Sequence, residues 1–165
     1  MSHSGFGFWT LREDTLLYSC DIWTPEEIAE MSINVTEFHT MHMGQVTLKC
    51  RCPETEYFLE FSDNTAAEAV ADSCVSNKPG MQEVIMMRDE FQRQHEIFSM
   101  SERVPTKANV WADMLSRGDE QLVLAEATEL QLKIEKLTVP PEARADVLNQ
   151  CMHRVGNGVG MLRRA

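Results

Sequence analysis

The chain has 165 residues, 43% of them apolar, and a formal net charge of -11. That size and apolar share fit one domain, or one domain with a tail, around a core of its own. They exclude a helical membrane span, because no apolar run approaches the roughly 20 residues one needs. The acidity argues against unaided gripping of nucleic acid through its phosphates, which takes a basic face.

Five cysteines, Cys20, Cys50, Cys52, Cys74 and Cys151, are odd in number and show no paired spacing. Cys50 and Cys52 stand too close for the usual zinc knuckle, so reduced thiols in an intracellular protein are expected. The first residues show no charged region followed by an apolar stretch, so no signal peptide is expected.

Gly5 to Leu11 reads as a strand whose glycines mark close packing, and Thr15 to Trp23 as a second, joined across a polar turn into a hairpin. Thr24-Pro25-Glu26-Glu27 opens a short helix ending near Met31: a capping threonine, proline in the first position, then acids. Asn34 to about Lys49 is a longer helix, with Phe38, Met41, Gln45 and Leu48 at helical spacing and Glu37 at the edge of that face. His39 and His42 lie three apart but lack the Glu-x-x-His pattern, so they are expected to be exposed or half-packed rather than metal ligands.

After the loop Cys52 to Thr55, Tyr57 to Phe61 is a strand ending in Ser62-Asp63-Asn64. Thr65 to Val75 is a helix with Ala67, Val70, Ala71 and Cys74 inward, closed by Asn77-Lys78-Pro79-Gly80. Met81 to His95 is a helix with Met81, Val84, Ile85, Arg88 and Phe91 along one side. Ile97 to Ser101 is a short strand, with Phe98 and Met100 expected to alternate inward. Lys107 to Arg117 is a short helix after the break at Pro105.

Residues 118 to about 130 form another helix, and Leu132 to Leu137 a brief strand. A last helix runs from Pro140 to about Cys151, and Gly156, Gly158 and Gly160 loosen a mobile end. The order implies an α/β domain with a mixed β-sheet flanked by helices, hairpin first and parallel crossovers later.

Three acids stand out. Asp63 ends an apolar strand, where open α/β sheets build their sites. Asp113 sits between Ala112 and the apolar Met114 and Leu115, and an acid in such a setting needs a partner. Glu37 lies in the first turns of a helix. Three carboxylates brought from separate elements to one end of a sheet would suit Mg²⁺, which prefers hard oxygen ligands. Two such ions can clamp the attacking and leaving oxygens of a phosphodiester displacement.

Four stretches carry a family resemblance: Gly5-Phe6-Gly7-Phe8-Trp9, Ser32 to Phe38 with Glu37, Phe61-Ser62-Asp63-Asn64-Thr65-Ala66-Ala67, and Asn109-Val110-Trp111-Ala112-Asp113-Met114-Leu115-Ser116-Arg117. With these the chain resembles the RNase H-like domain of retroelement reverse transcriptases, closest to the DIRS-like group. The resemblance covers roughly residues 1–117 as the RNase H-like domain, with 118–165 a C-terminal helical extension.

It implies metal-dependent hydrolysis of the RNA strand of RNA–DNA hybrids, with Mg²⁺ or Mn²⁺ as cofactor. Glu37 and Asp63 would ligate one ion and Asp113 the other. Asn64 and Asn109 would be substrate-side positions, with Asn109 orienting the Asp113 turn. It also implies a polymerase domain upstream in a longer protein. The family's first strand opens with an Asp, a small residue and Ser just before the Gly-x-Gly stretch. Here Met1-Ser2-His3-Ser4 stands there, so the strand is expected to be cut and the two-ion site incomplete. Asp14 and Asp21 are poor substitutes. The alternative is an inactive remnant with a structural or protein-interaction role.

Overall fold

The computed structural model describes residues 5–73, 76 and 80–144. The expected ends of the helix at Val75 and of the last helix at Cys151, the Asn77 to Pro79 terminator and the glycines after 155 lie outside them.

Strands β1 (Gly5–Arg12) and β2 (Thr15–Ile22) form the hairpin, paired antiparallel from Arg12↔Thr15 to Gly5↔Ile22. The two-residue turn has Glu13 at φ 54. Helix α1 (Pro25–Glu30) starts on the expected box: Thr24 Oγ1 accepts from Glu27 N at 3.2 Å, and Glu27 Oε2 accepts from Thr24 N at 2.7 Å. Helix α2 (Ile33–Arg51) leads to β3 (Tyr57–Ser62), α3 (Thr65–Ser73), α4 (Met81–Gln94) and β4 (Phe98–Arg103). Then come α5 (Val110–Ser116), α6 (Glu120–Glu129) and β5 (Lys133–Lys136).

The fold is mixed α/β, with a small mixed sheet flanked by helices. The expected single sheet is divided among the described residues: β1, β2 and β5 form one sheet in that order, and β3 and β4 a second. β5 joins β2 in parallel, Leu16 opposite Ile134, and β3 pairs with β4 in parallel from Tyr57↔Phe98 to Ser62↔Arg103. β1 and β3 are therefore both edge strands.

The core has two main parts. On one side of the sheets, Phe6, Trp23, Val35, Phe38, Met43, Val84 and Ile85 pack together from β1, the loop after β2, α2 and α4. On the other, Leu16, Tyr18, Leu115, Val123 and Ala127 join β2 to α5 and α6. Of the stretch expected as an extension, α6 supplies two fully buried residues and β5 a strand of the first sheet.

Several expectations are corrected. His39 and His42 are buried, not half-exposed. His39 Nε2–H donates to the Ala143 carbonyl at 2.8 Å, and His42 packs edge-on against Phe91. Phe98 and Met100 point outward, each 64% exposed, and Ser101 is the buried residue of β4. The inward partner of this strand is polar, since Arg88 on α4 reaches Ser99 Oγ at 3.3 Å. Finally, α5 begins at Val110 rather than Lys107, because Ala108 N bonds back to the Pro105 carbonyl at 2.7 Å and makes a turn.

Candidate functional site: the cavity between two strand edges

A cavity of about 1060 Å³ lies between β1 and β3, floored by α2. Its two walls are tied at both ends. At one end Arg12, which closes β1, pairs with Glu54, which precedes β3, and donates to Cys52 Sγ at 2.6 Å. At the other end α5 straddles the gap. The close approach expected of the glycines is real: a Cβ on Gly7 would lie 2.3 Å from Leu115 Cβ, and one on Gly5 would lie 2.4 Å from the Asp21 carbonyl oxygen and 3.0 Å from that of Ser116. The far side of α5 meets β3, where Asn109 Nδ2 donates to Asp63 Oδ1 at 3.2 Å. The start of β1 and the end of β3 therefore share one end of the cavity, and the two strands run in opposite directions.

Glu37, Asp63, Asn64, Asn109 and Asp113 all line this cavity. Asp63 holds its place at the carboxyl end of β3, against Asn109. Asn64 caps α3: its side-chain oxygen accepts from Ala66 N at 2.8 Å and Ala67 N at 3.0 Å, while its amide donates to Asn34 Oδ1 at 3.1 Å. That last bond ties the strand end to the start of α2, which carries Glu37. Asp113 is half-buried and pairs with Arg117, whose Nε donates at 2.9 Å, one helical turn on.

Asn109 acts on the acids in two ways. Its carbonyl accepts from Asp113 N at 3.1 Å, the expected support of that turn, while its side chain orients Asp63 instead. Asn64 and Asn109 are thus both engaged in holding the site's own elements together.

The three acids share one cavity. Among the described residues no group of three or more His, Cys, Asp or Glu is placed to hold a metal ion. The chemistry of the three acids suits Mg²⁺ or Mn²⁺. Cys20, Cys50 and Cys52 are unpaired thiols.

A second charged group escaped the sequence reading. Arg144 lies over the rings of Phe6 and Trp23, both of which line the cavity, at 5.4 and 5.7 Å. It donates to Glu27 at 2.9 Å, to Asp21 Oδ2 at 2.6 Å and to the Ile22 carbonyl at 2.6 Å. Burial pushes the Glu27 carboxyl up, but Arg144 and the Thr24 N–H outweigh it and hold the group below the usual carboxylate range. No local signal marks Arg144, because its partners lie more than 100 residues away in the chain.

No family model, curated protein or solved structure matches the chain. No helix among the described residues is long and apolar enough to cross a membrane.

Proposed function

We propose that the chain is an RNase H-like domain of the kind joined to retroelement reverse transcriptases, a nuclease domain directed at the RNA strand of RNA–DNA hybrids. The observation that carries this reading is that Glu37 on α2, Asp63 just after β3 and Asp113 on α5 line the same cavity. Each belongs to one of the stretches that resemble the family, and Asn64 and Asn109 from the same stretches hold α2, β3 and α5 in register.

One observation favours a second reading, an inactive domain of the same lineage with an interaction role: the described acids do not gather into a ligand set. A cleavage assay on labelled hybrid with Mg²⁺ or Mn²⁺ separates the two. The nuclease reading expects cleavage of the RNA strand that falls by at least about a hundredfold in Asp63→Asn and Asp113→Asn. Equal background in the chain and both variants overturns it and leaves the interaction role.

A further inference from the structure

We propose that Cys50 and Cys52 form a peroxide-sensitive dithiol. Cys52 is the nucleophile that hydrogen peroxide oxidises, and Cys50 is the thiol that then closes a disulfide on it. This rests on the joint between α2 and β1 and stands whether or not the domain cleaves hybrid.

The two thiols have opposite surroundings. Cys50 is exposed in the last turn of α2. Cys52 caps that helix and is buried with Leu17, Leu48 and Leu137. Arg12, at the end of β1, donates to the Cys52 sulfur and pairs with Glu54. Guanidinium groups stabilise thiolates, the form of cysteine that attacks peroxide. The Arg12 and Glu54 side chains are both about half exposed. The sulfur therefore lies one solvent-facing side chain below the surface, within reach of a molecule as small as peroxide. A thiol held by a cation, with a second thiol close by in the chain, is the arrangement that peroxide sensing needs.

The spacing allows closure at a cost. One residue apart, two Cα atoms in a helical turn stand roughly 5.5 Å from each other, inside the span of a disulfide. Cys50 faces solvent and Cys52 the core, so closure needs the last turn of α2 to open. That breaks the bonds from Cys52 N to the Leu48 carbonyl at 2.8 Å and from Thr55 N to the Cys52 carbonyl at 3.0 Å. A disulfide formed against such losses is easily reduced, which suits a reversible switch. Closing it also withdraws the sulfur from Arg12 and loosens the tie between β1 and the chain leading into β3.

The chemistry balances with hydrogen peroxide as the oxidant. The Cys52 thiolate attacks one peroxide oxygen: an S–O bond forms, the O–O bond breaks and hydroxide leaves. The Cys50 thiolate then attacks the sulfenic sulfur: the S–S bond forms, the S–O bond breaks and a second hydroxide leaves. Two thiolates are oxidised and one peroxide is reduced. A small thiol reductant reverses the change by exchange at the new disulfide.

The test adds hydrogen peroxide to the reduced full chain and follows, by mass spectrometry, the peptide spanning residues 38–54, whose cysteines are Cys50 and Cys52. The expected product is lighter by two hydrogens and is restored by dithiothreitol. Cys50→Ser should trap on Cys52 a sulfenic acid that reacts with dimedone. Arg12→Gln should slow the oxidation about tenfold. In the unaltered chain Cys52 should oxidise about tenfold faster than Cys20, whose thiol burial pushes up. That comparison needs no variant, so a folding defect in Arg12→Gln does not blunt the test. The Cys52 and Thr55 amides should exchange faster with solvent in the oxidised chain. Equal rates at Cys52 and Cys20 overturn the proposal, as does an unchanged rate in Arg12→Gln. A sulfenic acid found on Cys50 alone, or a disulfide joining either thiol to another cysteine, also overturns it.

Discussion

The two sheets carry similar apolar strands and treat them oppositely. In the β1–β2–β5 sheet the central strand is enclosed: Leu16, Leu17 and Tyr18 are at most 3% exposed. In the β3–β4 sheet, Tyr57, Leu59, Phe61, Phe98 and Met100 are each more than half exposed. The hairpin is covered on both faces, by α2 on one side and by α5 and α6 on the other. The second sheet is covered on one face, and its inner contact is polar. Arg88 pairs with Glu60 where both are nearly buried, and it also lies over the Phe38 ring at 5.4 Å. One sheet is held by apolar burial, the other by an ion pair and backbone bonds. The cavity with the three acids lies along the seam between them.

The largest effect should come from cutting the polar tie. Arg88→Ala leaves Glu60 charged and without its guanidinium in a nearly buried place, which should cost about 3–5 kcal/mol in urea unfolding. Joint replacement of Arg88 and Glu60 by methionine should cost clearly less; equal losses would mean that the pair is not what anchors α4 to this sheet.

Next in size is a direct contrast between the sheets. Leu16→Ala, at a fully enclosed position, should lose about 3 kcal/mol. Leu59→Ala, at an exposed one, should lose less than about 1 kcal/mol. Similar losses would show that the outer face of the second sheet is covered in solution.

The smallest effect, about 1 kcal/mol over the first pH unit below 6.5, is a pH dependence. Burial, then the neighbouring His39 and Arg88, push the His42 ring down to about 3. An unfolded histidine takes up its proton near pH 6.5. Between those values the unfolded chain binds more protons, so stability should fall as the pH drops below about 6.5. Glu27, held below its ordinary range, adds to the loss only further down, as the pH falls through its lowered value. His39, pushed down by its own burial, shares the upper part of that curve, so His42→Leu should make that part shallower and leave the lower part; an unchanged curve would mean that His42 is hydrated.

Much of the fold could be read from local signals. The box at Thr24 and Glu27, the tight glycines at 5 and 7, and Arg88 on the inward side of its helix are properties of a few neighbouring residues. What failed was long-range. Phe98 and Met100 were expected inward because apolar alternation usually marks the core, but Arg88 and Gln92 on α4 present polar groups to that strand and select Ser99 instead. His39 is buried because a carbonyl 104 residues away accepts its N–H. The division of the sheet depends on which edges meet, and no stretch of sequence states that. For the site, the motifs located the acids and their common cavity, while the distances among them depend on how far the two sheets stand apart.

That separation is the claim on which the rest depends, and NMR of the full chain reads it directly through cross-strand contacts between backbone protons. Contacts should link Trp9 to Tyr18 and Leu59 to Met100, and none should link Trp9 or Leu11 to Tyr57 or Leu59. A continuous ladder of contacts between β1 and β3 would contradict this and leave no cavity for the acids to share.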